Sequence, residues 1–166
     1  MTLVAVLSDT HLPRGARRLP DECVDRLRGA DVVLHAGDFL RLSVLEHLRA
    51  FDAPVYGVHG NMDDAELQAA LPKRRVVEVD GCRIGLVHDA GPRLGRHERL
   101  ERDFTGCAAV VYGHSHLPEV SRSARRRLLV VNPGSPTERR RAPSHTMAML
   151  HVADGDAVAE LIHLPT

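Results

Sequence analysis

The feature that most narrows what this chain can fold into is the position of its polar residues relative to its apolar runs. Leu3-Val4-Ala5-Val6-Leu7 is an unbroken run of strand formers, the pattern of a strand buried on both faces. It passes directly into Ser8-Asp9-Thr10-His11. Asp31–His35 (DVVLH) and Pro54–His59 (PVYGVH) read as two further strands, followed by Gly37-Asp38 and Gly60-Asn61. Between the strands, Asp21–Gly29 reads as a helix opened by Pro20 and closed by its glycine, and Ser43–Phe51 as a second helix with Ser43 as N-cap. This β-α-β-α-β alternation implies parallel strands with crossover helices. Such sheets carry their sites at the carboxyl ends of strands.

The second half reads differently. Arg75–Val79 and Cys82–Val87 flank Asp80-Gly81, and Met147–Val152 and Ala157–Leu164 flank Asp154-Gly155-Asp156, two hairpin signals. Arg96–Asp103 reads as a polar helix, and Ala108–Tyr112 and Leu128–Val131 as strands. Antiparallel pairs are expected to dominate here. Crossovers followed by hairpins predict two sheets packed face to face with helices outside. Neither a repeat nor a linker composition divides residues 1–166, which predicts one domain.

Composition narrows the function classes. Among 166 residues, 22 basic side chains balance 22 acidic ones, so no net field draws the chain onto nucleic acid. Lys73 is the only lysine. Trp is absent, and Phe39, Phe51, Phe104, Tyr56 and Tyr112 fall mostly on expected core elements, which argues against base stacking. Arg125–Arg127 and Arg139–Arg141 are short basic runs with no accompanying nucleic-acid motif. The second run follows Asn132-Pro133-Gly134-Ser135 and is a candidate to steer anions. Cys23, Cys82 and Cys107 form no CxxC pair and read as reduced, buried small hydrophobes. No run reaches the roughly eighteen apolar residues of a membrane helix, and Leu3–Leu7 lacks the basic flank of a signal peptide. A cytoplasmic location is expected.

Two more strand ends carry polar blocks, His88 and Gly113-His114-Ser115-His116. Asp9, His11, Asp38, Asn61, His88, His114 and His116 therefore offer seven oxygen or imidazole donors at five strand ends. In an extended segment, positions two apart project to one side, so Asp9 and His11 are expected to grip one ion. Mixed carboxylate, amide and imidazole donors suit Mn²⁺, Fe²⁺, Ni²⁺, Co²⁺ or Zn²⁺. Seven donors are too many for one tetrahedral ion and suit two ions roughly 3.5–4 Å apart with a carboxylate between them. Taken singly, each short motif also fits a turn or a loop hydrogen bond. Their order, each block after a strand, carries the weight.

In that order, Asp9-x-His11, Gly37-Asp38, Gly60-Asn61, His88 and Gly113-His114-x-His116, joined by Asn132-Pro133-Gly134-Ser135, resemble the calcineurin-like metallophosphoesterases, in their small prokaryotic phosphodiesterase branch. The resemblance implies an α/β fold of two mixed β-sheets packed as a sandwich flanked by helices, in four layers α/β/β/α. It implies that Asp9, His11 and His116 hold a first divalent ion and Asn61, His88 and His114 a second. Asp38 bridges them, and Mn²⁺ is the leading candidate metal. Asp38, Asn61 and His88 then form the catalytic centre. The expected activity is hydrolysis of small phosphodiesters by in-line attack of a metal-bridging hydroxide on phosphorus. The alternatives are a non-catalytic protein-binding scaffold on the same fold, and a nuclease or nucleotide pyrophosphatase. The intact donor set speaks against the first, and the scarcity of aromatics against the second. Self-association as a dimer or tetramer is also implied.

Two positions depart from the family pattern. Met62 stands where larger relatives follow the asparagine with a histidine, and a thioether has no proton to give a leaving group. Asp89 stands where a glycine usually follows the histidine; it either orients an imidazole or caps the next loop. His59 either reaches a phosphate oxygen or faces solvent. His35 reads as a core or supporting histidine, and Asp63 as a brace for the Asn61 loop.

Overall fold

The computed structural model describes residues 1–165, and Thr166 lies outside the described residues. Strands β1 (Thr2–Leu7), β2 (Val32–His35) and β3 (Val55–Gly57) pair in parallel, joined through helices α1 (Asp21–Arg28) and α2 (Leu42–Arg49). After α3 (Ala65–Ala70) the chain builds a second sheet from β4 (Arg74–Val79), β5 (Cys82–Val87), β6 (Ala109–Val111), β7 (Glu119–Arg122) and β8 (Leu129–Asn132), with α4 (Arg96–Asp103) between β5 and β6. The last hairpin, β9 (His145–Ala153) and β10 (Asp156–Leu164), returns to the first sheet, where β9 lies antiparallel to β1. The strand orders are β10-β9-β1-β2-β3 and β4-β5-β6-β8-β7.

The layering follows from the period-two alternation of the central strands. In β1, Val4 and Val6 face the second sheet, in the cluster that holds Ile84, Val111 and Val131. Ala5 and Leu7 face the other way, in the cluster with Cys23 and Leu27 of α1 and Leu45 and Leu48 of α2. In the second sheet, Val110 and Val130 turn outward to Leu100 and Phe104 at α4. The result is the four-layer α/β/β/α sandwich. Burial on both faces is why these strands read as unbroken apolar runs rather than alternating ones. Each buried aliphatic side chain contributes about 1.5–3 kcal/mol, so the strand ends that carry the polar blocks are firmly fixed.

Two expectations change. Ser43 does not cap α2: the helix begins at Leu42 from an extended Arg41, and Ser43 lies exposed in its first turn. The entry is set upstream, where the Leu40 amide donates to Asp63 Oδ1 at 2.9 Å. Antiparallel pairs dominate the second half as expected, in β4–β5, β7–β8, β9–β10 and β1–β9, while β5, β6 and β8 are parallel neighbours at the centre of the second sheet. Of the three free cysteines, Cys23 and Cys82 are buried and Cys107 only partly so.

Candidate metal centre

All seven proposed donors lie at the carboxyl ends of β1, β2, β3, β5 and β6, and the fold gathers them at one place. The Ser8–Leu12 loop runs beside the Gly37–Leu40 loop. Asp9 N donates to Gly37 O at 2.9 Å, His11 N to Asp38 O at 3.1 Å and Leu12 N to Phe39 O at 2.8 Å. Asp9 and His11 do not converge by sitting on an extended segment as expected. Both have left-handed backbones, φ 55° and 45°, so the loop curls and turns both side chains inward. Asp38, His114 and His116 are left-handed as well, at φ 59°, 71° and 60°. Non-glycine residues rarely adopt this conformation, at roughly 1–3 kcal/mol each, and such strain concentrates at functional sites.

The glycines that precede the donors have a steric reason. A β-carbon at Gly60 would lie 2.8 Å from the Asp38 carboxyl carbon, and one at Gly113 would lie 2.7 Å from Asp9 Oδ2. The Gly-Asn and Gly-His pairs therefore mark places where a neighbouring carboxylate packs against bare backbone.

Three imidazoles are oriented in one way. His88 Nδ1 donates to Ala36 O at 2.8 Å, His116 Nδ1 donates to Glu138 O, and His11 Nδ1 lies 3.0 Å from Glu138 Oε2. With Nδ1 bonded to a backbone carbonyl in His88 and His116, their Nε2 atoms present lone pairs to the centre, and His11 Nε2 is turned the same way. His11 Nε2 lies 3.4 Å from Asp38 Oδ2 and 3.7 Å from Asp9 Oδ1, and His116 Nε2 lies 3.4 Å from Asp9 Oδ1. His88 Nε2 lies 3.3 Å from Asp38 Oδ2 and 3.1 Å from Asn61 Oδ1, which is 3.3 Å from His114 Nδ1. One oxygen, Asp38 Oδ2, thus stands between two sets of donors.

Lone pairs converging in a buried space require a cation or a proton among them. Asp9 Oδ1, His11 Nε2 and His116 Nε2 are buried without a hydrogen-bond partner among the described residues. Asp9-His11-His116 and Asp9-Asp38-His88 each bring three donor atoms within 4.8 Å of one another. The donor set and its orphaned atoms fit divalent ions. Without an ion, protons take the place. Burial would lower the His11 pKa, but the Asp38 and Asp9 carboxylates outweigh it and raise it to about 9. His88 is raised in the same way. Burial would raise Asp9 and Asp38, but the facing histidines hold both well below the usual carboxylate range.

A ring of supporting groups fixes this geometry. Asp63 accepts from the amides of Asp38, Leu40 and Gly60 at 3.0, 2.9 and 2.7 Å, and so braces two donor loops where one was expected. His35 is fully buried and stacked on Phe39 at 3.6 Å between centroids. It accepts from Gly37 N at 3.1 Å and donates to Thr10 Oγ1 at 3.1 Å. Burial depresses its pKa to about 3, so it stays neutral. The Asn132–Ser135 block does not ligate; Asn132 donates to Gly113 O at 3.1 Å and Ser135 to Asp9 O at 2.8 Å. Asp89 caps its own loop, accepting from Gly91 N at 2.8 Å. Glu138, which no sequence pattern singled out, supports His11 and His116 together and draws in Arg14, Arg17 and Arg140. Arg140 thereby brings the second basic run to the edge of the centre.

A cleft of about 760 Å³ opens beside Asn61, His88 and His114, and His59 also lines it. Asn61 and His114 are exposed there, whereas Asp9, His11 and His116 are buried. Among the described residues, no helix is long and apolar enough to cross a membrane.

Comparison with known proteins converges on one family. The calcineurin-like phosphoesterase superfamily domain matches residues 1–155. A probable metallophosphoesterase of Methanothermobacter thermautotrophicus is 34% identical over 163 residues, covering 96% of this chain and 91% of that one. The solution structure of a Thermotoga maritima protein is 32% identical with a TM-score of 0.76, covering 99% of this chain and 100% of that one. Zinc-complexed Vps29 of Entamoeba histolytica, 23% identical over 97% of this chain and 98% of that one, has the same fold with a TM-score of 0.74.

Proposed function

The chain belongs to the calcineurin-like phosphoesterase superfamily, and from that premise we propose that it is a phosphodiesterase working with two divalent ions. Asp9, His11 and His116 hold the first ion, Asn61, His88 and His114 the second, and Asp38 is shared. The observation that carries this reading is Asp38 Oδ2, 3.4 Å from His11 Nε2 and 3.3 Å from His88 Nε2, with orphaned donor atoms around it. A binding scaffold gains nothing from buried lone pairs that need a cation.

A pair of divalent ions supplies Lewis acidity toward phosphoryl oxygens and lowers the pKa of bound water toward neutrality. The chain's own residues do the rest. Asp38 and Asp9 fix where positive charge sits. Asn61 and His114 face the cleft, so the substrate's phosphorus approaches from that side. His59 lines the same cleft and is placed to meet a phosphate oxygen. Met62 is 55% exposed and has no proton to give, so esters with good leaving groups are the favoured substrates. Mn²⁺ is the first metal to supply.

Metal-stripped protein, given one divalent metal at a time and a panel of phosphodiesters and phosphomonoesters, tests the reading. Hydrolysis of diesters that appears only with metal is expected. Turnover without metal, or none with any metal, would overturn it.

A further inference from the structure

Part of the lining of the cleft beside Asn61, His88 and His114 has no part in holding ions. It is formed by His59, Gln68, Lys73 and Arg74. The segment between α3 and β4 is pinned there: His59 N donates to Pro72 O at 3.1 Å, Leu71 is buried, and Gln68 Nε2 donates to Asp63 O at 2.8 Å. The base of Lys73 is therefore carried by the same scaffold that holds the Asn61 loop. Arg74 shares its charge with Asp103 at 3.7 Å and lies over the Phe104 ring. Lys73 is exposed and has no such partner among the described residues. It is the only lysine of the chain, set against 21 arginines, as 22 basic residues less one. Asp89 lines the cleft too, with one carboxylate oxygen accepting from Gly91 N, so the free positive charge sits on the α3–β4 side alone.

We propose that this part of the lining is a subsite for a second anionic group of the substrate, with Lys73 as its charged anchor. The inference rests on the phosphodiesterase reading and adds a substrate class to it: diesters whose second arm ends in a phosphate or a carboxylate. An ammonium on a flexible stem suits this task as a mobile point charge that needs no fixed fork geometry.

Two readouts test it. Manganese-loaded wild type, Lys73→Met and Lys73→Arg are given p-nitrophenyl phosphodiesters whose other arm ends in a phosphate, a carboxylate or a neutral hydroxyl. Lys73→Met is expected to lose about fivefold in kcat/KM on the charged arms and to leave the neutral arm unchanged, with Lys73→Arg restoring most of the loss. Equal losses on all arms, or none, would overturn the subsite. The second readout needs no turnover. N-acetoxysuccinimide acetylates Lys73 and the Met1 amine, which serves as internal reference. The charged-arm diesters are expected to slow acetylation of Lys73 relative to Met1, and the neutral-arm diester is not. Equal protection by all, or by none, would overturn the subsite even if no diester is hydrolysed, whereas protection without turnover counts against the phosphodiesterase reading alone.

Discussion

The two halves of the candidate centre are built differently. Asp9, His11 and His116 are buried, with relative exposures of 0%, 1% and 0%. Glu138 holds both histidines, by its carboxylate and by its own carbonyl. Asn61 and His114 are exposed at the cleft, and His88 is the only buried member of its set. Buried donors with tight supports lose little freedom on binding, whereas exposed donors must be ordered. The first half should hold its ion tightly and invariantly. The second should hold its ion more loosely, where substrate enters.

Removing what the halves share has the largest expected effect. Asp38→Ala should bring diester hydrolysis to background and leave no second ion, measured by steady-state rates together with bound metal; wild-type turnover would break the shared-oxygen arrangement. Next come the halves taken separately. His114→Ala should keep the tight ion and lose the looser one, and His116→Ala should lose the tight ion, read from titration by isothermal calorimetry. Equal affinities in the two variants would erase the contrast drawn above. Glu138→Gln should weaken the tight ion by about 10–100-fold without weakening the second, a difference that a competing chelator resolves.

The pH dependence separates ion from proton. His11 is raised from 6.5 to about 9 in the folded metal-free chain. Its stabilising contribution is fully present below pH 6.5 and is lost as pH rises through 9. Urea midpoints of the metal-free protein should therefore fall over that window. Metal affinity should rise over the same window, because the ion displaces the proton. Parallel trends would contradict competition for one place. The smallest effect is expected from Met62→His, a gain confined to poor leaving groups and to the exposed half; no gain would mean that proton donation is not limiting.

The gathering of the seven proposed donors at one place was legible because each follows a strand whose apolar run is unmistakable. The layers were legible for the same reason. The way Asp9 and His11 converge was not, since it depends on pairing with residues 37–40 and on left-handed backbones that no spacing rule reveals. Glu138 was invisible because it lies 127 positions from His11 and reaches it through a turn in which Ser135 Oγ accepts from Glu138 N at 2.8 Å. The six-residue α3 left one local signal, Asp64 accepting from Leu67 N at 2.9 Å. Strand β7 is a four-residue edge with mixed polarity and left none.

Equilibrium dialysis of the metal-stripped chain against Mn²⁺, with bound manganese counted per chain, probes the shared centre most directly. Two ions per chain, filling at clearly different concentrations, are expected. Saturation at a single ion, or no binding, would contradict a centre built on Asp38 between two sets of donors.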